Sequence, residues 1–143
     1  LKEKKFQRRQ LCHLLLDQSF LAGVGNYLRS EILFHAQLSP FMKLLDLSDI
    51  QKSRLADSAK KIPRRAFTQK GVTVPSELFE SLKSNGLTRR QARHFVFTRD
   101  GEPCWECGVE ISHKRVSGSY RKGVVITNLH SHDLFQDLSV VLS

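Results

Sequence analysis

Two glycines one residue apart, Gly23 and Gly25, break what would otherwise read as one helical pattern. Upstream of them Leu11, Leu14 and Leu15 stand at i, i+3 and i+4, and downstream Leu28, Ile32 and Leu33 repeat at helical spacing. Both runs fit amphipathic helices rather than strands. The connection Ala22-Gly23-Val24-Gly25-Asn26 permits backbone angles and close approaches that a Cβ forbids. Leu14 to Pro40 therefore predicts a helix, a tight turn and a second helix, with Asn26 at the second helix's start. A helix start presents N–H groups and the positive end of the helix dipole, which suit it to hold a phosphate. A plainer reading stays open: the glycines do no more than make a tight helix–helix connection.

The rest of the chain reads as more helix. A basic, polar linker over residues 1–8 leads into a first helix over about Gln7 to Gln18, and the second runs from about Asn26 to Gln37, before Ser39-Pro40. Glu31 stands on a face of this second helix, and Asp17 caps or pairs at the end of the first. These two acids do not form an acid/base pair. Ser48 with Gln51 is a capping-box signature. It opens a third helix whose Leu55, Ala59, Ile62 and Ala66 share a face, and Pro63 is expected to kink or break it. Pro75-Ser76 opens a fourth, with Leu78, Phe79 and Leu82 on one side and Gly86 as a left-handed cap. Phe95-Val96-Phe97-Thr98 reads as a strand and Asp100-Gly101 as a turn.

At 143 residues the chain has the length of one domain with a small appendage. No run of 18 apolar residues occurs, so no membrane span is expected; an anionic membrane surface would also suit the charge, but no membrane partner is expected. The basic N-terminus lacks the apolar stretch of a secretory signal. The net charge of +9 favours a polyanionic partner. Lys2, Lys4, Lys5, Arg8 and Arg9 form one basic cluster; Lys60, Lys61, Arg64, Arg65 and Lys70 a second; Lys83, Arg89, Arg90, Arg93 and Arg99 a third. Taken together they point to salt-dependent phosphate binding. Three cysteines make no secreted disulfide framework, which suggests a reducing interior. Cys12 reads as a buried structural thiol, while Cys104 and Cys107 form a C-x₂-C pair.

The stretch LLDQSFLAGVGNYLRSEILFHAQLSP resembles the helix–two-turns–helix of the bacterial formamidopyrimidine-DNA glycosylase / endonuclease VIII family, on the endonuclease VIII side. The likeness continues through Gly71-Val72-Thr73-Val74-Pro75 and Arg93 to Gly108, and covers about residues 7–118. It implies that the two-turn segment grips damaged DNA by its backbone, with Asn26 at the phosphate beside the lesion; Gly25 beside it and Arg64 of the second basic cluster are further DNA-binding candidates. It also implies a zinc ribbon, in which Cys104 and Cys107 supply two of four tetrahedral ligands, a second C-x₂-C follows, and a hairpin arginine enters the DNA. Arg121 is the candidate for that arginine. The second pair does not follow: residues 124–127 are Val-Val-Ile-Thr, and the 21 residues after Lys122 hold no Lys or Arg. The favoured explanation is an out-of-frame or alternatively spliced end. A substitute element packed on the bundle is a second, and completion of a Cys₂His₂ site by His130 and His132 a third. Zinc is thus a candidate cofactor with an incomplete site. The family's catalytic Pro-Glu start is not matched by Leu1-Lys2-Glu3, so no catalytic residue is assigned.

The expectation is a mainly α chain. Residues 1–98 form a small helix–two-turns–helix bundle, 99–122 a short β-hairpin remnant of a zinc ribbon, and 123–143 a divergent apolar tail. It would act as the damaged-DNA-binding portion of a base-excision-repair glycosylase / AP lyase, inactive without the catalytic domain. The expected partner is duplex DNA, damaged or abasic, bound by an intracellular monomer with no small-molecule substrate. Two alternatives stay open. One is a stand-alone nucleic-acid module that takes RNA, since a ribosomal protein carries a similar motif. The other is a truncated or frameshifted product without independent function.

Overall fold

A computed structural model of the chain describes residues 4–18, 20, 23–115 and 124–127. The order of elements is α1 (Lys4–Gln7), α2 (Leu11–Leu14), α3 (Asn26–Ala36), a 3₁₀ turn (Leu44–Asp46), α4 (Asp49–Thr68), α5 (Ser76–Ser84), α6 (Arg89–Ala92), β1 (Ser112–Arg115) and β2 (Val124–Thr127). The fold is mainly helical, as the hydrophobic periodicity predicts.

The first expected helix is split. Gln10 leaves helical geometry (φ −68°, ψ 147°) and bridges to Lys43, while Leu11 N–H donates to Met42 O at 2.8 Å. Residues 4–7 are not a linker either: Phe6 is 6% exposed and meets the Phe20 ring edge-on at 5.0 Å. One aromatic side chain in reach of the core is enough to order that turn, because burying it gains about 1.5–3 kcal/mol.

α4 runs unbroken through Pro63. Pro63 removes one backbone donor, but the helix is held at both ends and along its buried side. Ser48 accepts from Gln51 N–H at 3.2 Å while Gln51 Oε1 accepts from Ser48 N–H at 2.8 Å, completing the capping box. Leu55, Ser58, Ile62 and Ala66 are buried against α3, and Ser58 Oγ donates to Ile32 O at 2.7 Å. This helix–helix packing outweighs the roughly 3 kcal/mol that an interior proline costs.

Two apolar clusters result. The larger is built from α2, α3 and α4, with Leu11, Leu14, Ile32, Leu33, Leu55 and Ile62 at its centre. The smaller joins Phe34 on the outer turn of α3 to Val72, Val74, Phe95, Val96, Cys104 and Ile111. In it Phe34 and Phe95 stack at 5.0 Å. The expected strand at residues 95–98 does not form. Its amides turn inward to a side chain of α3 and leave no edge for a neighbouring strand. β1 and β2 pair antiparallel, Ser112 opposite Thr127 and Arg115 opposite Val124.

Candidate nucleic-acid interface

Val24 is 4% exposed and pins the two-turn connection to the core, leaving Gly23 and Gly25 exposed on either side. Gly23 takes φ +86°, a left-handed angle that a side chain resists. Gln18 splints the turn: its Oε1 accepts from Gly23 N–H at 2.9 Å, and its Nε2 donates to Val24 O at 3.4 Å. Sequence reasoning gave Gln18 no role, and a lone glutamine after a helix carries no signal for one.

Gly25 caps α3 at φ −106°, ψ −170°, angles open to any residue, and among the described residues no heavy atom lies within 4 Å of where its Cβ would stand. Gly25 O accepts the first helical bond, from Arg29 N–H at 2.9 Å, and no side chain caps the helix start. Asn26 is the first helical residue, as expected. Beneath it Arg29 is 0% exposed, and its Nη1 donates to Cys12 O at 2.8 Å, tying α3 to α2.

Glu31 does lie on a helix face, but on the inner one, 1% exposed. Its Oε1 accepts from Phe95 N–H at 2.7 Å and Thr73 Oγ1 at 2.6 Å. Its Oε2 accepts from Val96 N–H at 2.8 Å and Phe97 N–H at 3.0 Å. Burial pushes this carboxyl up from the ordinary range, with Thr73 and the three amides pulling against it. Thr73 Oγ1 also lies 2.8 Å from His94 Nδ1 and 3.1 Å from Arg93 O. Burial, then Arg93, lower His94 to about 4, so the ring is neutral at pH 7. Tyr27 in the first turn of α3 lies 5.3 Å from the His94 ring and 6.1 Å from Phe97. The start of α3 is thus braced against residues 94–97. Three amides curled onto one carboxylate force the chain out through Thr98 at φ +63°. A β-branched residue rarely takes that angle.

The basic clusters divide once their surroundings are seen. Arg65 Nη1 donates to Thr73 O at 2.9 Å, Arg89 Nη2 to Lys70 O at 2.6 Å, and Lys61 pairs with Asp57 at 3.3 Å. Arg99 is 4% exposed, donates to Phe95 O at 2.8 Å and stacks at 3.5 Å on Trp105, whose Nε1–H donates to His94 O at 3.1 Å. These residues act within the fold. Lys60, Arg64, Lys70 and Arg90 are exposed. Gly25 and Asn26 adjoin in the chain, whereas Arg64 stands on α4, which meets α3 through Ser58 and Ile32. Arg121 lies outside the described residues. Asp17 pairs with Arg9, matching the expected role at a helix end.

Cys104 and Cys107 sit on a turn closed by Gly108 N–H to Cys104 O at 2.9 Å. Glu106 N–H points at Cys104 Sγ at 3.4 Å. Burial pushes the Cys104 thiol up, and amides of Cys107 and Glu106 pull it back. Among the described residues no three His, Cys, Asp or Glu side chains converge. β2, paired with the strand that leaves the knuckle, offers Val, Val, Ile and Thr. Among the described residues, Cys104 and Cys107 supply half a tetrahedral zinc set and nothing completes it. His130 and His132 lie outside the described residues.

Residues 1–77 match the formamidopyrimidine-DNA glycosylase H2TH domain. Endonuclease 8 of Salmonella arizonae is 43% identical over 104 residues, 73% of this chain and 36% of the relative. Endonuclease 8 of Klebsiella pneumoniae is 45% identical over the same span and shares. The chain thus spans about a third of the length of these curated relatives. The crystal structure of MutM (Fpg) from Thermus thermophilus superposes with a TM-score of 0.66 at 32% identity, covering 85% of this chain and 44% of that one. Lactococcus lactis Fpg in complex with abasic-site DNA gives 0.64 at 26%, covering 84% and 40%. A glycine-framed helix start, its bracing and these matches lead to one conclusion: the chain belongs to the family defined by the formamidopyrimidine-DNA glycosylase H2TH domain, with endonuclease 8 proteins among its relatives.

Proposed function

We propose that this chain grips duplex DNA by its phosphates, as the DNA-binding portion of a base-excision-repair glycosylase, with damaged or abasic duplex as its partner. Gly25 and Asn26 hold the strand at the start of α3, with Arg64 and Arg121 supporting. No bond-breaking step is assigned to any residue of the chain.

Gly25 carries this reading. It is exposed, its backbone angles are ordinary, and the space about its missing Cβ is open among the described residues. The fold itself makes no use of that missing side chain, whereas a sugar–phosphate strand lying against the uncapped helix start does. The net charge of +9 and the exposed Lys60, Arg64, Lys70 and Arg90 support it. So does the solved complex of a family member with abasic-site DNA.

The test is fluorescence anisotropy of a labelled duplex bearing an abasic-site analogue, titrated at several salt concentrations. The logarithm of the binding constant should fall against that of salt with a slope of about −0.9 per phosphate contacted. Asn26→Ala combined with Arg64→Ala should weaken binding. A constant indifferent to salt sinks the proposal, and a preference for structured RNA over this duplex in direct competition would favour the RNA-binding alternative.

A further inference from the structure

Cys104 and Cys107 have no task in phosphate binding. The position where a second ligand pair would close the knuckle is taken by the Val124–Thr127 strand, which holds no thiol, imidazole or carboxylate. A metal bridging two copies would need both thiols at the surface, yet Cys104 is 4% exposed. Among the described residues, what is left to the pair is chemistry between its own two sulfurs.

We propose that Cys104 and Cys107 are a reversible dithiol–disulfide pair, which exchanges with small-molecule disulfides through Cys107. Neither thiol is bridged in the structure. The turn closed by Gly108 N–H and Cys104 O brings the two residues together. Cys104 and Cys107 are i and i+3 of this single helix-like turn, neighbours on one face about 5–6 Å apart at Cβ, near the about 3.5–4.5 Å that a disulfide needs there. Gly108 leaves the turn at φ +79°, an angle that favours glycine.

Exposure sets the order of events. Cys107 is exposed, and its thiolate attacks one sulfur of an external disulfide, forming a mixed disulfide and releasing one small thiol. Cys104 then gives up its proton and attacks the Cys107 sulfur, closing the protein disulfide and expelling the second small thiol. Two protein S–H bonds and one reagent S–S bond become one protein S–S bond and two reagent S–H bonds. The protein is oxidised and the reagent reduced, with nothing left over. Cys12, 0% exposed, stands outside the exchange.

The full chain would be equilibrated in mixtures of reduced and oxidised glutathione, quenched in acid, alkylated after unfolding and weighed by mass spectrometry. Bound zinc would be measured on the same sample after dialysis against a chelator. Cys104 and Cys107 should disappear together in a single two-thiol step that leaves the chain lighter by two hydrogens. Excess reduced glutathione should reverse it, and Cys12 should stay alkylatable throughout. Cys104→Ser should stop at a glutathione adduct on Cys107, and Cys107→Ser should remove the step. A wild-type chain that accumulates the single adduct without closing overturns the proposal. So does a chain that keeps one zinc through dialysis with both thiols protected. The measurement involves no DNA, so its failure leaves the phosphate-binding proposal standing.

Discussion

Replacing Glu31 by glutamine should destabilise the chain while barely changing the volume of the side chain. The carboxylate serves four donors, Phe95 N–H and Thr73 Oγ1 on one oxygen and Val96 N–H and Phe97 N–H on the other. A carboxamide accepts on one side only. In the better of its two orientations it keeps Val96 and Phe97, Thr73 turns to accept from it, and the Phe95 amide faces a donor. One buried amide without an acceptor costs about 1–3 kcal/mol, so Glu31→Gln should lose about that much. Glu31→Ala orphans all three amides at about 3–9 kcal/mol, which approaches the whole stability of about 5–15 kcal/mol of a typical domain. Glutamine is therefore the informative change. Urea unfolding followed by far-ultraviolet circular dichroism gives the difference from the shift in midpoint at constant slope. There is a pH signature as well. Burial raises the Glu31 carboxyl, so the folded chain holds this proton more tightly than the unfolded one. Its contribution is full below the ordinary carboxyl value of about 4.3 and declines as pH rises towards the raised value. Glu31→Gln should lack that decline. A midpoint within about 0.5 kcal/mol of the parent, the range of a neutral surface change, would refute the claim that this carboxylate holds the segment.

His94 should act in the opposite direction. Lowered to about 4 when folded against about 6.5 unfolded, it makes stability fall as pH drops through that window, by about 3 kcal/mol in all. In His94→Gln that part of the acid loss should vanish from urea midpoints measured between these pH values. Gly23 and Gly25 should separate stability from binding. Gly23→Ala, at φ +86°, should cost about 1–2 kcal/mol in urea unfolding. Gly25→Ala, at ordinary angles with open space, should leave the midpoint within about 0.5 kcal/mol yet weaken DNA binding in the anisotropy assay.

Local signals in the sequence were legible where the cause is local. The Ser48–Gln51 box, the start of α3 at Asn26 and the left-handed Gly86 follow from residues close in the chain, and the buried Leu55, Ile62 and Ala66 of α4 from their helical spacing. The Thr88–Gln91 capping box has the same signature and could have been read in the same way. Glu31 could not. Its partners lie 42 to 66 residues away, so no window of sequence holds both ends of the bond. The strand expected at residues 95–98 failed for the same reason, since its apolar residues invite a neighbouring strand and its amides answer a distant acid. The continuity of α4 through Pro63 depends on packing against α3, which periodicity does not weigh. The pattern marks Gly25 and Asn26 as the start of α3, which is where that helix begins, while Gln18 and the internal bonding of Arg65 and Arg99 emerged only from the folded chain.

The chain contains a single tryptophan, and it sits where residues 94–97 meet the knuckle, with its ring under the Arg99 guanidinium and its donor on the His94 carbonyl. Its emission is therefore a built-in gauge of that junction and not of the helices at large. If the junction opens before the bundle melts, the optical signal of this one indole will change ahead of the loss of helicity, and the gap between the two curves will measure how tightly the two parts are fastened.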